Sequence, residues 1–218
     1  MKLRFSGFLW SLLALLLLAG AAGAAPKPGR SAKKSKKEEV VTISTAQGII
    51  RLILFDDTPL HKANFLEKAK SGFYDGTSFH RIIDNFMIQG GDINSKEDND
   101  PSNDGLGRAN DPTIPAELGP GHPHNYGALA AARTGGPAGT PSSNSQFYLV
   151  ENHAGVHFLD GQYTVFGQVI QGLEVIDKIA KLPKDERDHP LGDAKMTMKV
   201  EKLKHKKITQ LYGYSFAS

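Results

Sequence analysis

The chain of 218 residues contains no cysteine. That excludes a disulfide framework and a lipid anchor built on a processed cysteine. Apolar residue types make up only 39% of it, beside 23 glycines and 12 prolines, which points to a turn-rich body rather than a helical bundle. One concentrated apolar run is present, residues 9–18, and it is too short to span a bilayer comfortably. No internal repeat is visible. Positive charge is scarce where it would matter for binding polyanions. Lys2 and Arg4 supply two charges and residues 25–39 a net four, so the chain's formal +3 becomes −3 from Val40 onward. The body is therefore expected to bind no nucleic acid.

The N-terminal segments are distinct from that body. Lys2 and Arg4 precede the apolar run, and Ala22-Gly23-Ala24 follows it as a small-residue cleavage site. This order predicts a signal peptide over residues 1–24, with Pro26 disfavouring cleavage one residue later. Residues 25–39 carry six basic and two acidic side chains and read as a solvated linker. The expected product is an exported monomer with no stable membrane insertion after cleavage. In a bacterium with two membranes it would be periplasmic. The body is predicted over residues 40–205, followed by a tail, 206–218, with no assigned role.

Within the body, β-rich runs at 40–45 and 49–55 flank Ala46-Gln47-Gly48, a hairpin signal. Asp56-Asp57-Thr58 before Pro59 predicts a helix start. The helix should run over 60–70, with Leu60, Ala63 and Leu66, and also Phe65 and Ala69, at helical spacing. Further strands are predicted at 128–132, 146–150 and 163–170. A second amphipathic helix is predicted over 173–182, with Val175, Ile176, Ile179 and Ala180 on one face. Residues 196–203 alternate as a half-exposed strand. About eight strands and two helices far apart in sequence argue against alternating βαβ units. They suit a mainly β fold: a closed eight-stranded antiparallel barrel capped by two helices.

The most informative stretch is 79–92, FHRIIDNFMIQGGD. Alternation turns Arg81 away from His80 and Ile82, and Asp84-Asn85 signals a turn. Two short extended segments would then present large apolar side chains around one cation and one amide. The stretch contains no Ser, Thr, Cys or Lys, so no nucleophile is evident. Asp100, Ser102, Asp104, Gly105 and Asp111 fit a calcium loop only loosely. His122 and His124 flank a proline with no third ligand in view. Neither set predicts a metal, and no cofactor is expected.

FHRIIDNFMIQGGD, with SNSQFYLV (143–150) and FLDGQYTVFGQV (158–169) following in order, resembles the cyclophilin-type peptidyl-prolyl cis-trans isomerases. The resemblance covers roughly residues 40–205. It implies the cyclophilin-like barrel and rotation of X-Pro bonds in unfolded or loop segments of proteins, here assisting the folding of exported proteins. By the same resemblance Arg81 donates to the prolyl nitrogen, Gln89 orients Arg81, and Phe86 completes the catalytic group. Met87, Tyr148 and Leu159 would line a proline pocket with Phe86, and Phe158 and Tyr163 would stand at its rim. Ala132 and Arg133 would pair through their backbone with the residue before proline, beside Gln146. Three positions depart from the best-known eukaryotic pattern: Phe158 for tryptophan, Tyr163 for histidine and Tyr148 for phenylalanine. The first two resemble the bacterial branch. Loss of the indole N–H implies weak cyclosporin binding. The competing reading is a proline-peptide-binding chaperone module whose turnover is incidental.

Overall fold

The computed structural model describes residues 36–96, 101–108 and 110–216. The predicted signal peptide, the linker up to residue 35, and Asp100 lie outside the described residues. Strand β1 (Lys37–Thr45) and β2 (Gly48–Leu54) form the expected hairpin, with Val40 opposite Ile53 and Thr45 opposite Gly48. β1 begins three residues before the expected body boundary, because Lys37, Glu38 and Glu39 pair with Lys204, Leu203 and Lys202.

Helix α1 (Pro59–Lys70) follows. Thr58 makes no side-chain capping bond. The first helical N–H groups are satisfied instead by a distant residue. Leu60 N–H donates to Glu117 Oε1 and His61 N–H to Glu117 Oε2, both at 3.0 Å. His61, Phe65, Leu66 and Ala69 are buried, whereas Leu60 and Ala63 are exposed. Phe65, Leu66 and Ala69 thus face inward as the apolar spacing predicts, while Leu60 and Ala63 do not. His61 takes the inward position because Glu117 receives its ring Nδ1 at 2.6 Å.

Short strands β3 (Arg81–Ile83) and β4 (Met87–Gly90) come next, then the two-residue β5 (Thr113–Ile114). β6 (Ala128–Ala131), the two-residue β7 (Ser142–Ser143), β8 (Phe147–Val150) and β9 (Val165–Gln171) follow. Helix α2 (Leu173–Ala180) buries all four predicted apolar residues. β10 (Thr197–Lys204) leads directly into α3 (His205–Tyr212). The chain therefore has three α-helices among the described residues, not two. The third lies in the tail: Ile208 is fully buried, and Tyr212, Tyr214 and Phe216 pack with it on Val40, Ile53 and Leu203. None of the described helices is long and apolar enough to cross a membrane.

Eight strands form one antiparallel sheet in the order β10-β1-β2-β9-β6-β8-β4-β3, with β5 and β7 paired separately. The predicted closed barrel needs correction here. No hydrogen-bonded ladder joins the edge strands β10 and β3. The segments just before them meet in one isolated bridge, Ser78 with Lys195. The outer edge of β3 is taken by the loop before β10: Ile82 N–H donates to Asp188 O at 2.9 Å and Ile82 O accepts from Lys184 Nζ at 3.1 Å.

β8 explains how the fold builds a site. All four of its residues are buried, because both faces of the strand are covered. Phe147 and Leu149 point into the main core with Phe65, Tyr74, Phe79, Ile82 and Phe166. Tyr148 and Val150 point the other way, into a second cluster with Met87, Ala130, Ala132 and Val165. That second cluster is the floor of the pocket described next.

Candidate active site

β3 and β4 are joined by the Asp84-Asn85 turn, with Asn85 at φ 59°. The register sets Arg81 opposite Gln89 and Ile83 opposite Met87. β4 pairs in turn with β8, setting Gln89 opposite Tyr148. Gly91, at φ 86°, takes the chain out of β4. A Cβ there would lie 2.5 Å from the Ser145 carbonyl oxygen, so the double glycine is a packing requirement as well as a turn.

Arg81, Phe86, Met87, Gln89, Ala132, Arg133, Tyr148, Leu159 and Tyr163 surround one open pocket of about 140 Å³. Nine of the predicted site residues therefore converge on it. Gln146 lies just behind: it accepts the Gln89 side-chain N–H on Oε1 at 2.9 Å and donates to Gly105 O at 3.0 Å. Phe158 does not line the pocket. It is 68% exposed and stacks on Phe86, with ring centres 6.0 Å apart.

Arg81 keeps 45% of its side chain exposed. Its nearest anionic partner is Asp188, with Nε 3.8 Å from Oδ2. Gln89 directs its amide N–H to Gln146, so the expected orientation of Arg81 by Gln89 rests on strand register alone. Asp188 was not among the predicted residues. Its carbonyl accepts the Ile82 N–H at 2.9 Å, and its carboxylate is held by Lys184 Nζ at 2.7 Å. Nothing local in the sequence announces it, since it reaches β3 from the loop preceding β10.

The backbone roles of Ala132 and Arg133 also separate. Ala132 N–H donates to Gln146 O at 3.0 Å and its carbonyl accepts Ser143 N–H at 2.8 Å. Ala132 thus offers its methyl to the pocket wall, and the backbone left for an incoming strand is that of Arg133. The Arg133 guanidinium lies over the Tyr163 ring at 4.2 Å and donates to Gly136 O at 2.9 Å.

Tyr148 shows why a tyrosine fits at the floor. Its hydroxyl meets His124 Nε2 at 2.9 Å. His124, fully buried, presents Nδ1 to Asp160 Oδ1 at 2.8 Å, and its backbone N–H donates to the same oxygen at 2.7 Å. Burial lowers the His124 pKa against the pull of Asp160. A neutral ring with Nδ1 protonated satisfies all three groups: it donates to Asp160 and accepts the Tyr148 O–H. Burial also raises the Tyr148 pKa, so the hydroxyl stays protonated. A second opening of about 290 Å³ adjoins the first and shares Gln89, Ala132 and Arg133 with it. Its outer wall comes from Gly105, Leu106, Gly107 and Arg108, in the long polar loop.

The mainly β fold thus sets the guanidiniums of Arg81 and Arg133 beside an apolar, aromatic pocket. Residues 40–200 match the family described as cyclophilin type peptidyl-prolyl cis-trans isomerase/CLD. A peptidyl-prolyl cis-trans isomerase of Acinetobacter baylyi is 40% identical over 152 residues, covering 66% of this chain and 73% of the relative. Human peptidyl-prolyl cis-trans isomerase-like 1 is 35% identical over 159 residues, covering 72% and 88%. The crystal structure of a cyclophilin type isomerase from Cryptosporidium parvum superposes with a TM-score of 0.60 at 28% identity, covering 75% of this chain and 98% of that one. The same protein was also solved in the presence of the dipeptide Ala-Pro. The chain belongs to the cyclophilin family and is a cyclophilin-type peptidyl-prolyl cis-trans isomerase.

Proposed function

We propose that this isomerase acts on X-Pro bonds of unfolded or loop segments in exported proteins, as an exported monomer of the bacterial branch, with Arg81 as its catalytic donor. The observation that carries the assignment of the site is the convergence of the Arg81 guanidinium with Phe86, Met87, Tyr148, Leu159 and Tyr163 around one pocket. The reaction breaks no covalent bond. Its barrier, about 20 kcal/mol, is the loss of amide resonance as the C–N bond twists. On twisting, the prolyl nitrogen becomes pyramidal and basic. A donor aimed at it binds the transition state selectively, and each 1.36 kcal/mol of such selectivity gives about tenfold in rate. The apolar pocket would hold the proline ring, the Arg133 backbone would pair with the residue before it, and the adjoining opening would take the side chains further upstream. No cofactor enters this scheme.

The export part rests on residues 1–24, whose basic, apolar and small-residue segments have the order of a signal peptide. In a cell with two membranes the proposed location is the periplasm. Two measurements test the proposal. Titration with an Ala-Pro peptide should shift the amide resonances of Phe86, Met87, Arg133, Tyr148 and Leu159, and a response centred elsewhere would remove the site assignment. N-terminal sequencing of the chain made in its own cells should begin at Ala25, and an intact Met1 on a cytosolic product would remove the export assignment.

A further inference from the structure

Outside the pocket, the described residues contain one cluster that combines a histidine with two carboxylates: Glu151, His153 and Asp177. Glu151 follows the last residue of β8, His153 lies in the turn after it, and Asp177 is on the polar side of α2. One ligand atom from each lies within 4.8 Å of the other two. His153 Nε2 stands 3.3 Å from Asp177 Oδ1, close to the edge of about 3.4 Å that two ligands make around a tetrahedral zinc ion.

The second observation concerns Glu151 itself. It is only 3% exposed, and its Oε2 is buried with no hydrogen-bond partner. A buried carboxylate oxygen left unpaired is costly, and buried charges in proteins are paired or coordinate metals. Elements beyond the ligand set already hold the other two residues in place. The Tyr126 hydroxyl donates to Asp177 Oδ1 at 2.8 Å, and the Tyr126 ring stacks on His153 with centres 4.2 Å apart. Such outer contacts orient ligands in built metal sites. His153 is exposed, which leaves an entry path and an open coordination position for water.

We propose that Glu151, His153 and Asp177 form a divalent transition-metal site, with zinc as the ion of best fit. Three ligands, one imidazole nitrogen and two carboxylate oxygens, suit a four-coordinate zinc that keeps one water. Calcium and magnesium are poorer fits because they favour six or more oxygen ligands and no imidazole. The histidines that stand out in the sequence are engaged elsewhere: His122 with Asp57 and His124 with Asp160 and Tyr148. The site lies behind the pocket wall, since the Glu151 N–H donates to the Phe86 carbonyl at 2.9 Å.

Calorimetric titration of zinc into the metal-stripped chain, from Ala25 onward, tests this at neutral pH. The expected result is one equivalent bound, with affinity lowered at least tenfold in Glu151→Gln and in His153→Ala, and a metal-dependent rise in Tm that both variants lose. His153 is on the surface and Glu151→Gln keeps the shape of the side chain, so both variants should fold. Absence of zinc binding would overturn the proposal. So would equal affinity in the variants, which would place the ion on other surface histidines.

Discussion

At the scale of single residues, His80 and Tyr148 show how neighbours of the site are held. His80 is buried beside Arg81, and neither ring nitrogen has a hydrogen-bond partner. Burial lowers its pKa to about 4 from 6.5, with Asp92 opposing and His189 and Arg81 adding to the shift. The ring is therefore neutral in the fold. The unfolded chain takes up this proton below about pH 6.5 and the folded chain does not, so stability falls as pH drops towards 4. Urea unfolding should show the wild type losing about 2 kcal/mol more than His80→Leu between pH 7 and pH 5. Equal losses would show that His80 is not the group responsible. The facing of His80 and Arg81 was legible in the sequence, because alternation in a strand dictates it. The His124–Tyr148 contact was not. It joins two loops and a strand through tertiary packing, and a histidine flanking a proline carries no sign of which ring it will meet.

At the scale of elements, the strands were more legible than the helices. Hairpin β1–β2, the turn before β4, and α2 follow from local pattern. The face of α1 follows only in part. Apolar spacing marks Phe65, Leu66 and Ala69, which are buried, but also Leu60 and Ala63, which are not; the first turn is held by Glu117 from a separate loop. Burial raises the Glu117 pKa, but the His61 ring and the two helix N–H groups outweigh it and hold the carboxyl below its usual range. A carboxylate with a depressed folded pKa stabilises above its unfolded pKa and loses that contribution as pH falls through the folded value. His61, lowered by burial against the pull of Glu117, works in the same direction. Glu117→Ala should cost about 2 kcal/mol at pH 7 by removing the helix cap, with a smaller difference at pH 3. A variant as stable as wild type at pH 7 would contradict this role. The pairing was hidden from the sequence because helix caps are normally sought within the preceding few residues.

At the scale of the molecule, the sheet brings β3, β4, β6 and β8 side by side, and residues far apart in the chain converge on one pocket. Most of that pocket was legible from three motifs in order. Asp188 and the separate backbone roles of Ala132 and Arg133 needed the fold. The tail also acquires a place: α3 and Phe216 cover Val40, Ile53 and Leu203, none of which belongs to the pocket. Deleting residues 206–218 should cost about 3 kcal/mol, chiefly through loss of the buried Ile208, and leave kcat/KM within about twofold at a temperature where the variant is folded. A large loss of activity in the folded variant would show that the tail reaches the site. Catalysis is proposed to depend on the guanidinium at the pocket mouth. The most direct measurement is kcat/KM for an Ala-Pro test peptide, wild type beside Arg81→Ala, both starting at Ala25. The variant should be slower by about a hundredfold or more, equivalent to about 3 kcal/mol of transition-state stabilisation, with Tm nearly unchanged because Arg81 is half exposed. A folded Arg81→Ala chain that isomerises the peptide at the wild-type rate would contradict the account.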